Sequence, residues 1–263
     1  MASLKDFLDK KRPAIETIKE RAEKKEQTAS GKESTEKPSK TATRRPLSPS
    51  SISLFMECPR CFWLEKNMGI KRPSSPFPSL PSGMDRVLKE HFDVHRGKNT
   101  PPEELEGRFK GRLFQDTEKL KDWQNNFRGL RYTDPKTGIT LMGALDDLFV
   151  TETGKHAPLD FKTRGFPRKE GTHSYYQHQM DIYSFLLEKN GLAPADFAIL
   201  IFYHPTGVNA SHDVIFDPDP VRLSVDRSRG EKLFLGAVDC LQSPEPPEPS
   251  KGCQWCGWRE NKQ

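Results

Sequence analysis

The segment from residue 139 to residue 190 constrains the fold most strongly, because it predicts two paired strands followed by a helix. A long apolar run at 139–150 is separated by the turn-forming residues 152–155 from a second strand-like run at 156–163. Runs this close together pair as an antiparallel hairpin. Residues 172–190 have helical periodicity. We therefore predict a β-meander that packs against a helix within an α/β domain.

Charged side chains converge on one face of this meander. Asp160 and Lys162 are two residues apart on the second strand, so they point to the same face. Hairpin pairing brings Asp146 or Asp147 opposite Asp160, and a shift of one residue in register would exchange the two. Strand pairing alone therefore leaves both residues as candidates.

The combination of two carboxylates and an ammonium indicates a particular chemistry. Carboxylate oxygens suit Mg²⁺ or Mn²⁺, and a nearby lysine can orient an attacking water and offset developing negative charge. The pattern predicts metal-dependent phosphodiester hydrolysis. The alternative is an Asp/Lys pair on the surface of an exposed hairpin.

Beyond these residues, the chain resembles the PD-(D/E)XK nuclease superfamily, and within it the RecB-type domains and the CRISPR-associated nucleases that carry an iron-sulphur cluster. The resemblance covers about residues 48–258. The matching segments are Leu47-Ser48-Pro49-Ser50-Ser51-Ile52, Cys58-Pro59-Arg60-Cys61, Gly143-x-x-Asp146, Leu159-Asp160-Phe161-Lys162-Thr163, Gln179-x-x-x-Tyr183 and Cys253-x-x-Cys256. The resemblance implies a restriction-endonuclease-like core, in which helices flank a mixed central sheet made of the meander and further strands. A cysteine-rich clasp would join the two ends of this core.

The resemblance also implies roles for individual residues. It selects Asp146 over Asp147 as a metal ligand, makes Asp160 the second ligand and assigns Lys162 as the catalytic lysine. Gln179 and Tyr183, spaced i, i+4 on one helix face, would lie beside the active site and help to position it.

One position departs from the family pattern. RecB-type domains usually carry a metal-binding His on an early helix, and this chain has Ser82-Gly83-Met84-Asp85-Arg86-Val87-Leu88 there. Asp85 is the candidate replacement as a metal ligand, and His91 is a weaker one. On the residues alone, a structural role is favoured for both, so the departure leaves metal number and activity open.

The cysteines form a second candidate site. Cys58, Cys61, Cys253 and Cys256 form two Cys-x-x-Cys pairs at opposite ends of the domain, and four thiolates suit zinc or a [4Fe-4S] cluster. The spacing within each pair favours zinc, whereas the family resemblance favours the cluster. Absence of metal is the third alternative. Cys240 is predicted to be a buried thiol that could replace one ligand.

The charge distribution separates a tail from the predicted domain. Residues 1–47 contain 13 Lys and Arg against 8 Asp and Glu, so they carry the whole formal excess of +5. Their Ser, Thr, Lys, Glu and Pro content predicts a disordered basic tail. The domain at 48–263 is then neutral, and Arg164, Arg168 and Lys169 form its best basic patch. No signal peptide or long apolar run is evident, so we expect a cytoplasmic protein that does not enter a membrane.

Secondary-structure signals elsewhere complete the expected fold. We predict helices at 50–68, 83–94, 103–123 and 220–241, and further strands at 126–133, 197–204 and 212–216.

Three functions follow as hypotheses. The first is a metal-dependent, exonuclease-like DNA nuclease that acts on ends or single strands in repair or recombination, with an unidentified helicase or repair partner. The second is an inactive nuclease fold that binds nucleic acid or protein. The third is an unrelated zinc-ribbon interaction protein, which would leave Asp146, Asp160 and Lys162 unexplained.

Overall fold

A mixed sheet of five strands forms the centre of the computed structural model, which describes residues 45–74 and 78–260. The strand order is β1-β4-β5-β6-β7, in which β5 and β6 are parallel and the other neighbours antiparallel. The strands are β1 (Gly111–Leu113), β4 (Asp147–Thr151), β5 (His156–Thr163), β6 (Phe197–Val208) and β7 (Val214–Ser224). The predicted mixed sheet flanked by helices is confirmed.

A separate two-stranded hairpin and seven α-helices surround this sheet in the described part of the chain. The hairpin consists of β2 (Leu130–Thr133) and β3 (Thr140–Gly143). The helices are α1 (Pro49–Glu57), α2 (Pro59–Met68), α3 (Ser79–Lys98), α4 (Thr117–Gln124), α5 (Gln177–Lys189), α6 (Arg227–Gln242) and α7 (Gln254–Glu260), and a 3₁₀ helix (Thr172–Tyr176) precedes α5. The 3₁₀ helix and α5 supply the crossover that a parallel β5–β6 pair requires.

The two faces of the sheet bury different groups of side chains. One cluster joins residues of β6, such as Leu200 and Phe202, to α5, α6 and the β2–β3 hairpin. The other places Phe92 of α3 against Phe161 of β5, with ring centroids 4.7 Å apart. Burial of apolar area on both faces explains why the sheet is central.

The predicted strand at 139–150 is interrupted in the structure. β3 ends at Gly143 and β4 begins at Asp147, so the run passes from the hairpin to the central sheet. A Cβ on Gly143 would lie 2.8 Å from both Tyr183 and Leu186, so helix α5 can approach only because this residue is glycine. The backbone of the interruption makes hydrogen bonds outside the β-ladders, since the Leu145 N–H donates to the Trp123 carbonyl at 3.0 Å.

Three other predicted elements differ from the structure. The helix expected at 50–68 is divided at Cys58, which is extended because Pro59 disfavours a helical conformation at the preceding residue. The helical region expected at 103–123 contains strand β1, and α4 begins only after the N-cap Asp116. The helix expected from 220 begins at Arg227, because β7 continues to Ser224 as an edge strand that tolerates proline.

The proposed tail at 1–47 lies almost entirely outside the described residues, and the domain division remains a prediction. Leu47 is described and is buried, with its N–H donating to the Thr140 carbonyl at 2.7 Å. None of the described helices combines the length and apolar character needed to cross a membrane.

Candidate active site and cysteine cluster

Strand β5 presents Asp160 and Lys162 to the face of the sheet that α5 covers. Their neighbours Leu159 and Phe161 belong to the cluster on the opposite face. Asp160 is 2 % exposed, and the Lys162 ammonium contacts its Oδ2. The ammonium also lies 4.6 Å from the centre of the Tyr176 ring, so a cation–π contact holds it from the 3₁₀-helix side.

Gln179 of α5 organises these groups. Its Nε2 donates to Asp160 Oδ1 at 2.9 Å, and its Oε1 accepts from Lys162 Nζ at 3.2 Å. The same Nε2 lies 3.0 Å from the Tyr183 hydroxyl, which donates to the Ala144 carbonyl at 2.7 Å. Gln179 thus fixes the orientation of both β5 side chains, while Tyr183 ties α5 to the interruption between β3 and β4.

Asp146 and Asp147 point to different places. Asp146 Oδ2 accepts from the Phe161 N–H at 3.0 Å, which holds this carboxylate beside Asp160. Asp147 is completely buried, and its Oδ2 accepts from Arg96 at 2.6 Å. The geometry therefore brings Asp146 to the Asp160 side and leaves Asp147 in a buried ion pair with α3.

Helix α3 adds two charged groups to the site. Lys89 Nζ lies 2.8 Å from Asp85 Oδ2 and 3.1 Å from Asp146 Oδ1. Sequence analysis identified Asp85 but missed Lys89. The only available signal was the i, i+4 spacing of Asp85 and Lys89, which is equally common for salt bridges on exposed helices.

The electrostatics of the site favour an additional cation. Burial, followed by the charge of Asp146, raises the pKa of Asp160 to about 7, although Lys162 opposes the shift. Burial and the Asp146 charge also raise the pKa of Asp85. Asp160 Oδ2 is buried and makes no hydrogen bond of acceptable geometry despite its contact with Lys162. A divalent cation would relieve each of these costs, so the chemistry of these carboxylates fits such an ion. Among the described residues, the four cysteines of the two Cys-x-x-Cys pairs bring their ligand atoms closer together than these three carboxylates do.

Among the other candidates from the sequence, His91 lies outside this site, and part of the predicted basic patch is in an ion pair. His91 Nε2 lies 3.3 Å from Glu104 Oε1, in a separate cavity on the other side of α3. In the predicted basic patch, Arg168 Nε donates to Asp219 Oδ2 at 2.8 Å, whereas Lys169 is exposed. The patch is therefore partly neutralised by β7.

The four predicted cysteines meet in space. The Sγ atoms of Cys58, Cys61, Cys253 and Cys256 all lie within 4.8 Å of one another. Cys58 lies in the break between α1 and α2, Cys61 on α2, and the other two at the start of α7. Cys240 is half-buried outside this group, with its Sγ 3.8 Å from the Pro59 carbonyl oxygen.

The environment of the four thiols favours the thiolate at Cys58, whereas burial raises the pKa of Cys61 and of Cys256. Burial would raise the pKa of Cys58, but backbone hydrogen bonds from Cys61 and Ser250 outweigh it and lower the pKa to about 6. An Arg72 guanidinium nitrogen lies 3.8 Å from Cys253 Sγ. A bound metal lowers the pKa of its thiol ligands, so four sulphurs this close together fit a metal ion or an iron-sulphur cluster.

Comparison with known proteins identifies one family. A family model described as the PD-(D/E)XK nuclease superfamily matches residues 79–260. This range contains Asp85, Asp146, Asp160, Lys162 and Gln179, and it begins after Cys58 and Cys61. No curated protein matches the chain. The solved structure titled "Crystal structure of SSO0001" is 14% identical, covers 88% of this chain and 89% of its own, and has a TM-score of 0.38. That score is too low to support an argument.

Proposed function

The chain belongs to the PD-(D/E)XK nuclease superfamily, and on that premise we propose that it is a metal-dependent DNA nuclease. The observation that carries the proposal is that Gln179 holds Asp160 and Lys162 together, while the Phe161 N–H holds the Asp146 carboxylate beside them. Neither packing nor stability requires this arrangement, because a buried carboxylate with a raised pKa costs folding free energy.

Three carboxylates would hold the metal. Asp146 offers Oδ1 and Asp160 offers Oδ2, because their other oxygens accept from the Phe161 N–H and the Gln179 amide. Asp85, at the entrance from α3, is the third ligand that we propose. Bound Mg²⁺ or Mn²⁺ would supply Lewis-acid activation of a phosphodiester and of a water.

The other side chains would orient the attacking water and stabilise the negative charge that develops during hydrolysis. Lys162 Nζ lies between Asp160 and the Tyr176 ring, where it can orient a water and offset the negative charge that develops on a phosphate oxygen. Gln179 and Tyr183 hold this arrangement through hydrogen bonds and so limit the reorganisation that hydrolysis requires.

A cleft beside these groups can admit a nucleic acid strand. It has a volume of about 430 Å³, and its lining includes Ser50, Lys162, His178 and Gln179. Phe166 and Tyr175, at 79% and 75% exposed, follow Lys162 in the chain and are available to stack on unpaired bases. These features support single strands or DNA ends as substrate and an exonuclease-like role in repair or recombination, as the RecB-type motifs suggest.

For the cysteine cluster we propose a structural metal. Three sulphur pairs lie 3.5 to 3.8 Å apart, close to the roughly 3.8 Å edge of a tetrahedron with zinc–sulphur bonds of about 2.3 Å. A [4Fe-4S] cluster places a cube of iron and sulphide between its thiolates and holds them farther apart. The spacing therefore supports a single ion such as Zn²⁺, and the [4Fe-4S] cluster that the family motifs favour is the alternative.

One observation favours a second candidate function. The Lys89 ammonium lies between Asp85 and Asp146, where it partly neutralises the carboxylates that a metal needs. A site filled in this way would suit an inactive module that binds nucleic acid or protein.

A cleavage assay tests the proposal. Purified full-length protein is incubated with labelled single-stranded and double-stranded DNA, with Mg²⁺ or Mn²⁺ and with chelator. An Asp160→Asn preparation, purified identically, measures contaminating nuclease. We expect cleavage that requires the metal and disappears in the variant. Equal cleavage by both preparations, or none by the wild type with either metal, would reject the nuclease in favour of the binding module.

A further inference from the structure

Lys89 and Lys162 occupy matching positions in the site. Each of the two central carboxylates has one oxygen bound by a neutral N–H and the other in contact with an ammonium. For Asp146 these partners are the Phe161 N–H and Lys89, and for Asp160 they are the Gln179 amide and Lys162. The site therefore contains two Asp–Lys units, only one of which belongs to the Asp160-x-Lys162 motif.

The contacts of Lys89 are unlike those of a surface salt bridge. Its side chain is 22% exposed, as against 17% for Lys162. On the same helix, the Arg86–Glu90 pair has side chains that are 71% and 65% exposed. Lys89 reaches from α3 to the Asp146 carboxylate in the interruption between β3 and β4, whereas Arg86 bonds only one turn along its own helix. An ordinary helix-stabilising pair does not explain that reach.

We propose that Lys89 is a second active-site lysine that makes two contacts in turn. Without a divalent cation, it holds the Asp85 and Asp146 carboxylates together. When a cation binds Asp146 Oδ1, Lys89 instead binds a phosphate oxygen of the nucleic acid. This inference rests on the proposed function. Lys89 and the cation require the same oxygen of Asp146, because Oδ2 is already bound by the Phe161 N–H. The ammonium must therefore leave that oxygen when the cation binds. It then remains beside the proposed binding site for the nucleic acid.

The exchange accounts for the contact of Lys89 with both Asp85 and Asp146, and for the presence of two lysines in one site. Without the cation, Lys89 offsets the repulsion between Asp85 and Asp146, which would otherwise oppose the approach of α3 to β4. With the cation bound, two positive groups, Lys89 and Lys162, flank the same carboxylates, and a phosphodiester is the anionic group that can use both. Lys89 is thus a positioning residue for substrate, and its removal should affect metal and nucleic acid in opposite directions.

Binding measurements separate these effects from activity. Mn²⁺ affinity is measured by electron paramagnetic resonance for wild-type full-length protein, Lys89→Met and, as the matched control on the same helix, Arg86→Met. We expect Lys89→Met to bind Mn²⁺ roughly tenfold more tightly, because a competing positive charge has been removed from a partly buried site. Arg86→Met should match the wild type. Lys89→Gln repeats the test if the methionine variant does not fold.

Binding of a labelled single-stranded oligonucleotide in Ca²⁺, under conditions without cleavage, gives the second measurement. Lys89→Met should bind less tightly, and the slope of log affinity against log salt concentration should decrease by about one. Unchanged or weaker Mn²⁺ binding by both Lys89 variants would overturn the exchange, and unchanged DNA affinity would overturn the phosphate contact. No Mn²⁺ binding by the wild type would instead overturn the proposed nuclease function together with this inference.

Discussion

The carboxylate–lysine site and the four-thiol cluster are assembled in opposite ways. The first takes Asp146, Asp160, Lys162 and Gln179 from one continuous segment and adds groups from α3. The second joins cysteines that are as many as 198 residues apart in the chain. Local strand pairing positions the first site, whereas the second forms only when the whole domain has closed.

The two regions also differ in what they contribute to the folded state. The candidate active site buries Asp160, and burial disfavours its charged form there. Loss of that carboxylate should therefore cost function and little stability. The thiol cluster holds α7 against α2, and a bound metal would add its binding free energy to folding. Loss of a thiol should cost stability and leave the chemistry of folded molecules intact.

The largest expected effect is the loss of cleavage in Asp160→Ala. We expect the rate to fall about ten-thousandfold, equivalent to roughly 5 kcal/mol, because a proposed metal ligand is removed. Urea unfolding should give a free energy of unfolding within about 1 kcal/mol of the wild type. An unfolded variant would break the comparison, since Asp160 would then support the fold.

Cys256→Ser should give the complementary result. The loss of one thiolate should release the proposed structural metal and lower the free energy of unfolding by about 4 kcal/mol, part of the stabilisation that such sites provide. Metal analysis and urea unfolding measure both changes, and Cys240→Ser, which lies outside the cluster, is the control. Cleavage per folded molecule should stay close to that of the wild type. A variant with unchanged stability would show that the cluster has no structural role.

Asp147→Asn tests whether the adjacent residues Asp146 and Asp147 have different roles. This change leaves Arg96, whose side chain is 1% exposed, without its buried anionic partner. We expect a loss of about 3 kcal/mol in the free energy of unfolding and far less loss of cleavage per folded molecule than in Asp160→Ala. If instead cleavage disappears and stability is retained, Asp147 rather than Asp146 serves the site.

Periodicity and motif spacing predict the parts of the fold that depend on neighbouring residues. The central hairpin, helix α5 and the shared face of Asp160 and Lys162 all follow from the two-residue and helical repeats. The interruption at 144–146 does not, because it depends on the Tyr183 hydroxyl and on Gly143 at the α5 contact. Those partners are distant in sequence, and their packing overrides the apolar pattern.

Partners that are distant in sequence also explain why Lys89 was not predicted and why Asp146 and Asp147 lie in different environments. A helical lysine four residues after an aspartate predicts a local salt bridge, and nothing in that spacing indicates a second carboxylate in the connection between β3 and β4. The Asp147–Arg96 pair likewise joins β4 to α3 across 51 residues. Strand pairing leaves both aspartates as candidates and the family motif selects Asp146, but the buried partner of Asp147 is evident only from the tertiary arrangement of α3.

Anomalous diffraction from crystals grown with Mn²⁺ tests both proposed metal sites, because it locates metal at the two regions in one experiment. We expect a manganese peak bound by Asp146 Oδ1 and Asp160 Oδ2, together with a separate zinc-edge peak among the four cysteine sulphurs. A manganese peak elsewhere, with Lys89 still on Asp146, would contradict the proposed active site, whereas an iron-edge peak at the cysteines would replace zinc by the iron-sulphur cluster.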